Sequence, residues 1–176
     1  MIFTIESKSS EYTKKIGEEF AKFLDPGDVI LLNGELGGGK TTFISGTAKG
    51  LNISQSISSP SFTLISVYDF VRDNKKLKMA HCDLYRISNI TDIIDIGLED
   101  FIYNENTITF IEWSEKIKDN IFKNFLEIYF EYYIPSNSNE SEINIENQRR
   151  KITLVSNSNY WDKKISEYVA IIPSYS

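Results

Sequence analysis

Residues 34–41 read Gly34-Glu35-Leu36-Gly37-Gly38-Gly39-Lys40-Thr41 and satisfy the pattern G-x-x-x-x-G-K-[ST] without a mismatch. Glycines at such a turn let consecutive backbone N–H groups face inward as a nest for an anion. A helix beginning near Lys40 would add its positive N-terminal end. Lys40 can then reach β and γ phosphates, and the Thr41 hydroxyl can turn to Mg²⁺. A plain strand-to-helix turn needs one or two glycines and has no use for Lys-Thr at its far end. The chemistry these residues point to is the binding of a nucleotide's phosphate tail.

Such a site needs a carboxylate at the end of a neighbouring strand to hold Mg²⁺. Asp83 follows the run MAHC and Glu112 follows ITFI, so both close apolar strands. The C-terminal edge of an open sheet is where ligands sit. One acid could hold the ion and the other orient an attacking water; their residue types leave the division open. His81 and Cys82 read as packed strand residues. Ser58, Ser59, Ser61 and Thr63 lie in a serine-rich loop around Pro60. That loop reads either as a solvated turn or as a switch ordered by phosphate and Mg²⁺.

The base is expected to be adenine. A guanine reader of the N/T-K-x-D type is missing, because Leu77 stands where Asn74-Lys75 would need an aspartate, and no Asp is followed by Gly three places on. A small-molecule kinase would carry arginines on a lid, yet the arginines are only Arg72, Arg86, Arg149 and Arg150. A slow ATPase that needs a partner fits better. The kinase, and a nucleotide-sensing interaction module, remain as alternatives.

The elements that must position these groups follow from the pattern. The sequence predicts strands at 2–6, 29–33, 62–70, 77–85, 107–113, 126–134 and 151–157. Helices are predicted from Ser9 or Ser10 to about Leu24, from Lys40 to Gly50, and over 160–172, with two short helical pieces around Gly97. The run VILLN (29–33) is apolar throughout, as in a parallel strand buried on both faces. The late strands follow one another too closely for long helices between them. A mixed α/β layered fold is therefore expected, as one domain over 1–176, with 136–150 a polar mobile loop. The 176 residues carry a net charge of −6 and a pI near 4.9, which disfavours autonomous nucleic-acid binding. A lone histidine excludes multi-histidine metal sites, and a lone cysteine excludes an internal disulfide. No membrane span or secretory leader is visible, so a cytoplasmic protein is expected.

The blocks GELGGGKTTF, SPSFTLISVY, HCDLYRI, GLEDFI and FIEWSEKI, in this order and spacing, resemble the bacterial TsaE (YjeE) family over about residues 9–118. The resemblance implies a P-loop NTPase-like three-layer fold with a mixed, mainly parallel central sheet plus antiparallel strands. It implies binding of ATP or ADP and Mg²⁺, and hydrolysis that is weak alone. It also implies a role in making N6-threonylcarbamoyladenosine (t6A) in tRNA through the TsaD and TsaB proteins, with tRNA met only indirectly. Gly37, Gly38, Gly39, Lys40, Thr41 and Thr42 resemble the family's phosphate loop. Thr41 and Glu112 resemble its magnesium residues, Asp83 its Walker B-like acid, and Trp113 the aromatic after the acid. Ser61 and Thr63 match a switch-like loop, and Ser9 to Thr13 the helix start near adenine. The family implies Lys40, Asp83 and Glu112 as the catalytic groups.

Overall fold

The computed structural model describes residues 1–87, 90–116, 122–133 and 149–172. Most of the 136–150 stretch therefore lies outside the described residues. Arg149 and Arg150, at its end, open a strand instead. The strands are β1 (Ile2–Ser7), β2 (Val29–Gly34), β3 (Ile65–Arg72), β4 (Lys75–Asp83), β5 (Thr107–Glu112), β6 (Leu126–Tyr133) and β7 (Arg149–Ser156). The helices are α1 (Ser10–Phe20), α2 (Lys40–Gly50), α3 (Ile90–Asp95) and α4 (Asn159–Ile171). Short 3-10 turns follow α1 and β5, and another occupies Leu98–Asp100.

The strands form one sheet in the order β1-β7-β6-β2-β5-β4-β3. Pairs β2–β5, β2–β6 and β4–β5 are parallel, and β1–β7, β6–β7 and β3–β4 are antiparallel. The sheet is thus mixed, with a parallel centre around β2 and antiparallel ribbons at both sides, as its closely spaced late strands require. The β3–β4 hairpin turns through Asp73 and Asn74, both at positive φ.

The apolar run of β2 is explained by its two coverings. Ile30 and Leu32 join the larger core with Ile16, Phe20, Phe43, Ile44, Trp161 and Tyr168 from α1, α2 and α4. Val29 and Leu31 join a second core with Cys82, Leu84, Ile93, Leu98 and Ile111. A strand covered on both faces cannot alternate apolar with polar. Burial raises the Cys82 thiol above its ordinary value, which fits a core residue rather than a reactive one.

Two polar devices hold the helices at their starts. Ser9 caps α1, its Oγ accepting from Tyr12 N at 3.0 Å. Asp28, just before β2 and almost fully buried, anchors α4: it accepts from Lys164 Nζ at 2.6 Å and from Tyr160 OH at 2.7 Å. Because β2 is central and its parallel neighbours run the same way, Gly34, Glu112 and Asp83 all arrive at one edge of the sheet.

Candidate functional site

The loop after β2 turns back on itself through Gly37 at φ +77° and Gly39 at φ +111°. Both lie in the left-handed region, where a side chain would be strained. Gly39 caps α2, whose first amides have no intrahelical acceptor and sit at the positive end of the helix dipole. The outer flank of the loop is walled by Tyr132 and Arg150, direct partners across β6 and β7. Tyr132 OH stands 2.7 Å from where a Cβ on Gly37 would be. The Cδ and Nε of Arg150 stand 3.0 Å from the same point on Gly39.

Lys40 is 4% exposed, and its Nζ donates to the carbonyls of Gly34 at 2.6 Å and Glu35 at 3.0 Å. The Trp113 ring centre lies 4.1 Å from the same ammonium. Burial lowers the Lys40 pKa below its ordinary value, while the charges of Glu112, Glu115 and Asp83 oppose that. Trp113 adopts φ +63°, an uncommon conformation for a bulky residue. Its N–H donates to Leu32 O at 3.1 Å, and the next residue, Ser114, donates to Asn33 Oδ1 at 2.8 Å. The turn after β5 is therefore tied to β2 on both sides of the tryptophan.

The two acids are register partners at the ends of β4 and β5. Glu112 Oε1 accepts from Thr41 Oγ1 at 2.8 Å and lies 2.9 Å from His81 Nε2. Asp83 Oδ2 accepts from Ser59 Oγ in a short bond and from Ser61 Oγ at 3.1 Å. Its other oxygen accepts from Tyr85 N at 3.0 Å. The acids thus have different partners: Glu112 is joined to Thr41 after the glycine loop, and Asp83 to the serine loop.

These groups surround one hollow of about 330 Å³, lined by residues 36–42, Ser59, Ser61, Asp83, Tyr85, Arg86, Glu112 and Trp113. Gly37, Gly38, Gly39, Lys40, Thr41, Thr42, Asp83, Glu112 and Trp113, all expected from the sequence, meet there. Ser9 does not line it; its role in the structure is the α1 cap. Thr13, one turn further on, comes within 3.7 Å of a Cβ on Gly39. Sequence reading missed Tyr132 and Arg150, and missed that buried His81 reaches Glu112. No local pattern marks any of the three; strand pairing brings them in.

The donor set suits a phosphate chain with a hard cation. Amides and one ammonium face an anion, while a hydroxyl and two carboxylates offer the oxygen ligands such a cation takes. Among the described residues no group of three or more His, Cys, Asp or Glu side chains is placed to hold a metal ion. A Mg²⁺ ion commonly takes only one or two carboxylates and completes its shell with phosphate and water.

The family model described as "Threonylcarbamoyl adenosine biosynthesis protein TsaE" matches residues 7–150. The chain belongs to the TsaE family. It is 36% identical to the tRNA threonylcarbamoyladenosine biosynthesis protein TsaE of Treponema pallidum, over 65% of this chain and 81% of that one. It is 36% identical to the TsaE of Bacillus subtilis, over 67% and 70%. It is 41% identical to that of Rickettsia bellii, over 62% and 73%. The fold is similar to the crystal structure of Bacillus subtilis YdiB, with a TM-score of 0.73 and 26% identity over 97% of this chain and 95% of that one. The matched range contains every residue that lines the hollow. Among the described residues no helix is long and apolar enough to cross a membrane.

Proposed function

We propose that this chain is the ATP-binding and ATP-hydrolysing subunit of the machinery that makes t6A in tRNA, dependent on Mg²⁺ and acting on the complex of TsaD and TsaB. The observation that carries the reading is the Thr41–Glu112 hydrogen bond, 2.8 Å long. It joins the hydroxyl of the phosphate loop to the acid of the neighbouring strand, the two groups that a P-loop site assigns to its metal. The names of the relatives supply the pathway.

The chain's own residues divide the work. The amides of Gly37 to Thr41 hold the phosphates, and Lys40 neutralises them. Thr41 and Glu112 would hold Mg²⁺, whose charge would offset that of the phosphate. Asp83 is left to orient water, since its side-chain partners come from the serine loop and not from the glycine loop. Two arginines stand near this loop: Arg86 lines the hollow itself, and Arg150 lies along the loop's outer flank, where it braces Gly39. The family resemblance implies weak turnover alone, and a partner that adds positive charge at the transition state would raise it.

The deciding experiment measures ADP release by the chain alone and with TsaD and TsaB. The reading expects stimulation on the order of tenfold or more by the pair, with no phosphorylated acceptor. A small-molecule acceptor that becomes phosphorylated, with no effect of TsaD and TsaB, would overturn it in favour of a kinase.

A further inference from the structure

His81 is the only histidine of the chain, and on β4 it is fully buried. A phenylalanine or leucine could fill such a place. Instead the Nε2 of His81 lies 2.9 Å from Glu112 Oε1, the same oxygen that accepts from Thr41. Its Nδ1 is buried with no hydrogen-bond partner among the described residues.

These two facts choose the tautomer. With its proton on Nε2, the ring donates to the carboxylate and leaves at Nδ1 only an unused lone pair. With the proton on Nδ1, a buried donor would have no acceptor, and the bare Nε2 would face a carboxylate oxygen. Both faults are costly in an interior.

We propose that His81 is a positioning residue for Glu112. Its Nε2–H fixes Oε1, so that the carboxylate stays turned toward Thr41 and the hollow. This rests on the reading of Thr41 and Glu112 as the magnesium residues. Of the two bonds on Oε1, the one from Thr41 would compete with a cation for the threonine oxygen. The bond from His81 is outside that competition, because His81 does not line the hollow. A carboxylate ligand held by a residue beyond it is a general device, and removing such a residue commonly costs 10- to 100-fold in metal affinity.

The first test uses the untagged, ¹⁵N-labelled protein without ligand. A single histidine yields a single set of imidazole signals. The expected result is a protonated Nε2, an unprotonated Nδ1 and an Nε2 proton protected from exchange. An Nδ1–H tautomer would overturn the proposal whatever the metal does. The second test compares ADP affinity with and without Mn²⁺ in the parent, His81→Phe and His81→Gln. His81→Phe is expected to keep metal-free ADP affinity within about twofold and to lose about tenfold of the metal-dependent gain. His81→Gln, whose amide nitrogen has similar reach, is expected to keep most of that gain. A full gain in His81→Phe, or equal losses in both variants, would overturn the proposal. If His81→Phe does not fold, the tautomer and the glutamine variant decide. A parent with the Nε2–H tautomer but no metal-dependent gain would bring down the magnesium reading itself and leave the hydrogen bond standing.

Discussion

Arg150 lies against Gly39, with its Cδ and Nε both 3.0 Å from the place a Cβ on that glycine would take. Gly39 also sits at φ +111°. Gly39→Ala therefore meets two penalties at once, a strained backbone and a crowded flank. The backbone term alone is about 1–3 kcal/mol. The expected outcome is a protein that melts lower and binds ADP at least tenfold more weakly, read by calorimetry. Gly27, at φ +94° with nothing near its Cβ position, is the control. Gly27→Ala should lose stability and leave ADP affinity unchanged.

Lys40 is engaged before any ligand arrives, by two carbonyls and by the face of Trp113. A phosphate would draw the ammonium into a new set of partners. Trp113 emission should therefore change when Mg²⁺ and ADP are added to a Trp161→Phe background, Trp161 being a fully buried residue of α4. In Lys40→Met the change should vanish and ADP affinity should fall at least 100-fold. The fold should persist with a loss of roughly 1.5–3 kcal/mol per charged hydrogen bond removed. Unaltered ADP binding by Lys40→Met in titration calorimetry would count against the site.

Asp83 anchors the serine loop through Ser59 and Ser61. Asp83→Ala removes the shared acceptor. Hydrogen exchange over residues 58–64 should quicken markedly, while exchange in β2 and α2 stays as in the parent. Hydrogen bonds to a charged group contribute roughly 1.5–3 kcal/mol each, so the loop should open without global unfolding. Ser59→Ala with Ser61→Ala should release the same loop while keeping the carboxylate. If that double variant exchanges as slowly as the parent, the serines do not hold the loop.

Tyr129 and Tyr160 contribute to a limit at alkaline pH. Burial, with added repulsion from Glu127, pushes Tyr129 up to about 12. Burial also pushes Tyr160 up to about 12, where the Lys164 contact opposes the rise and Asp28 adds to it. Both groups stay protonated longer in the folded protein than in the unfolded chain, where tyrosine ionises near about 10. Their contribution to stability is whole below that value and is lost as pH climbs toward about 12. Urea midpoints measured at increasing pH should be flat to about pH 9 and then fall. Tyr129→Phe should reduce the slope of that fall.

Much of the fold was legible because local physics decides it. An apolar run flanked by a turn and a glycine loop is a strand buried on both faces, and β2 is that strand. Ser9 with an apolar face behind it starts a helix. The errors lie where distant partners move a boundary. β3 was expected from residue 62 and begins at Ile65, because Leu64 turns at φ +64° and its carbonyl takes the N–H of Asp83. β7 was expected from residue 151 and begins at Arg149, because Tyr133 and Tyr132 of β6 pair with Arg149 and Arg150. Ser9, offered by the sequence as a helix cap, is the cap of α1.

For the site, the chain by itself determined the glycine loop. Its glycines, lysine and threonine are consecutive, and a nest of amides is a local object. It also named both acids, since each closes an apolar strand. What only the tertiary structure decided is which acid meets which partner. Thr41 and Glu112 are 71 positions apart, Ser59 and Asp83 are 24 apart, and His81 and Glu112 are 31 apart. Those meetings depend on β4 and β5 lying side by side, in register, next to β2. Strand order and register are set by the packing of the whole sheet between its two cores, and no short stretch of sequence contains them.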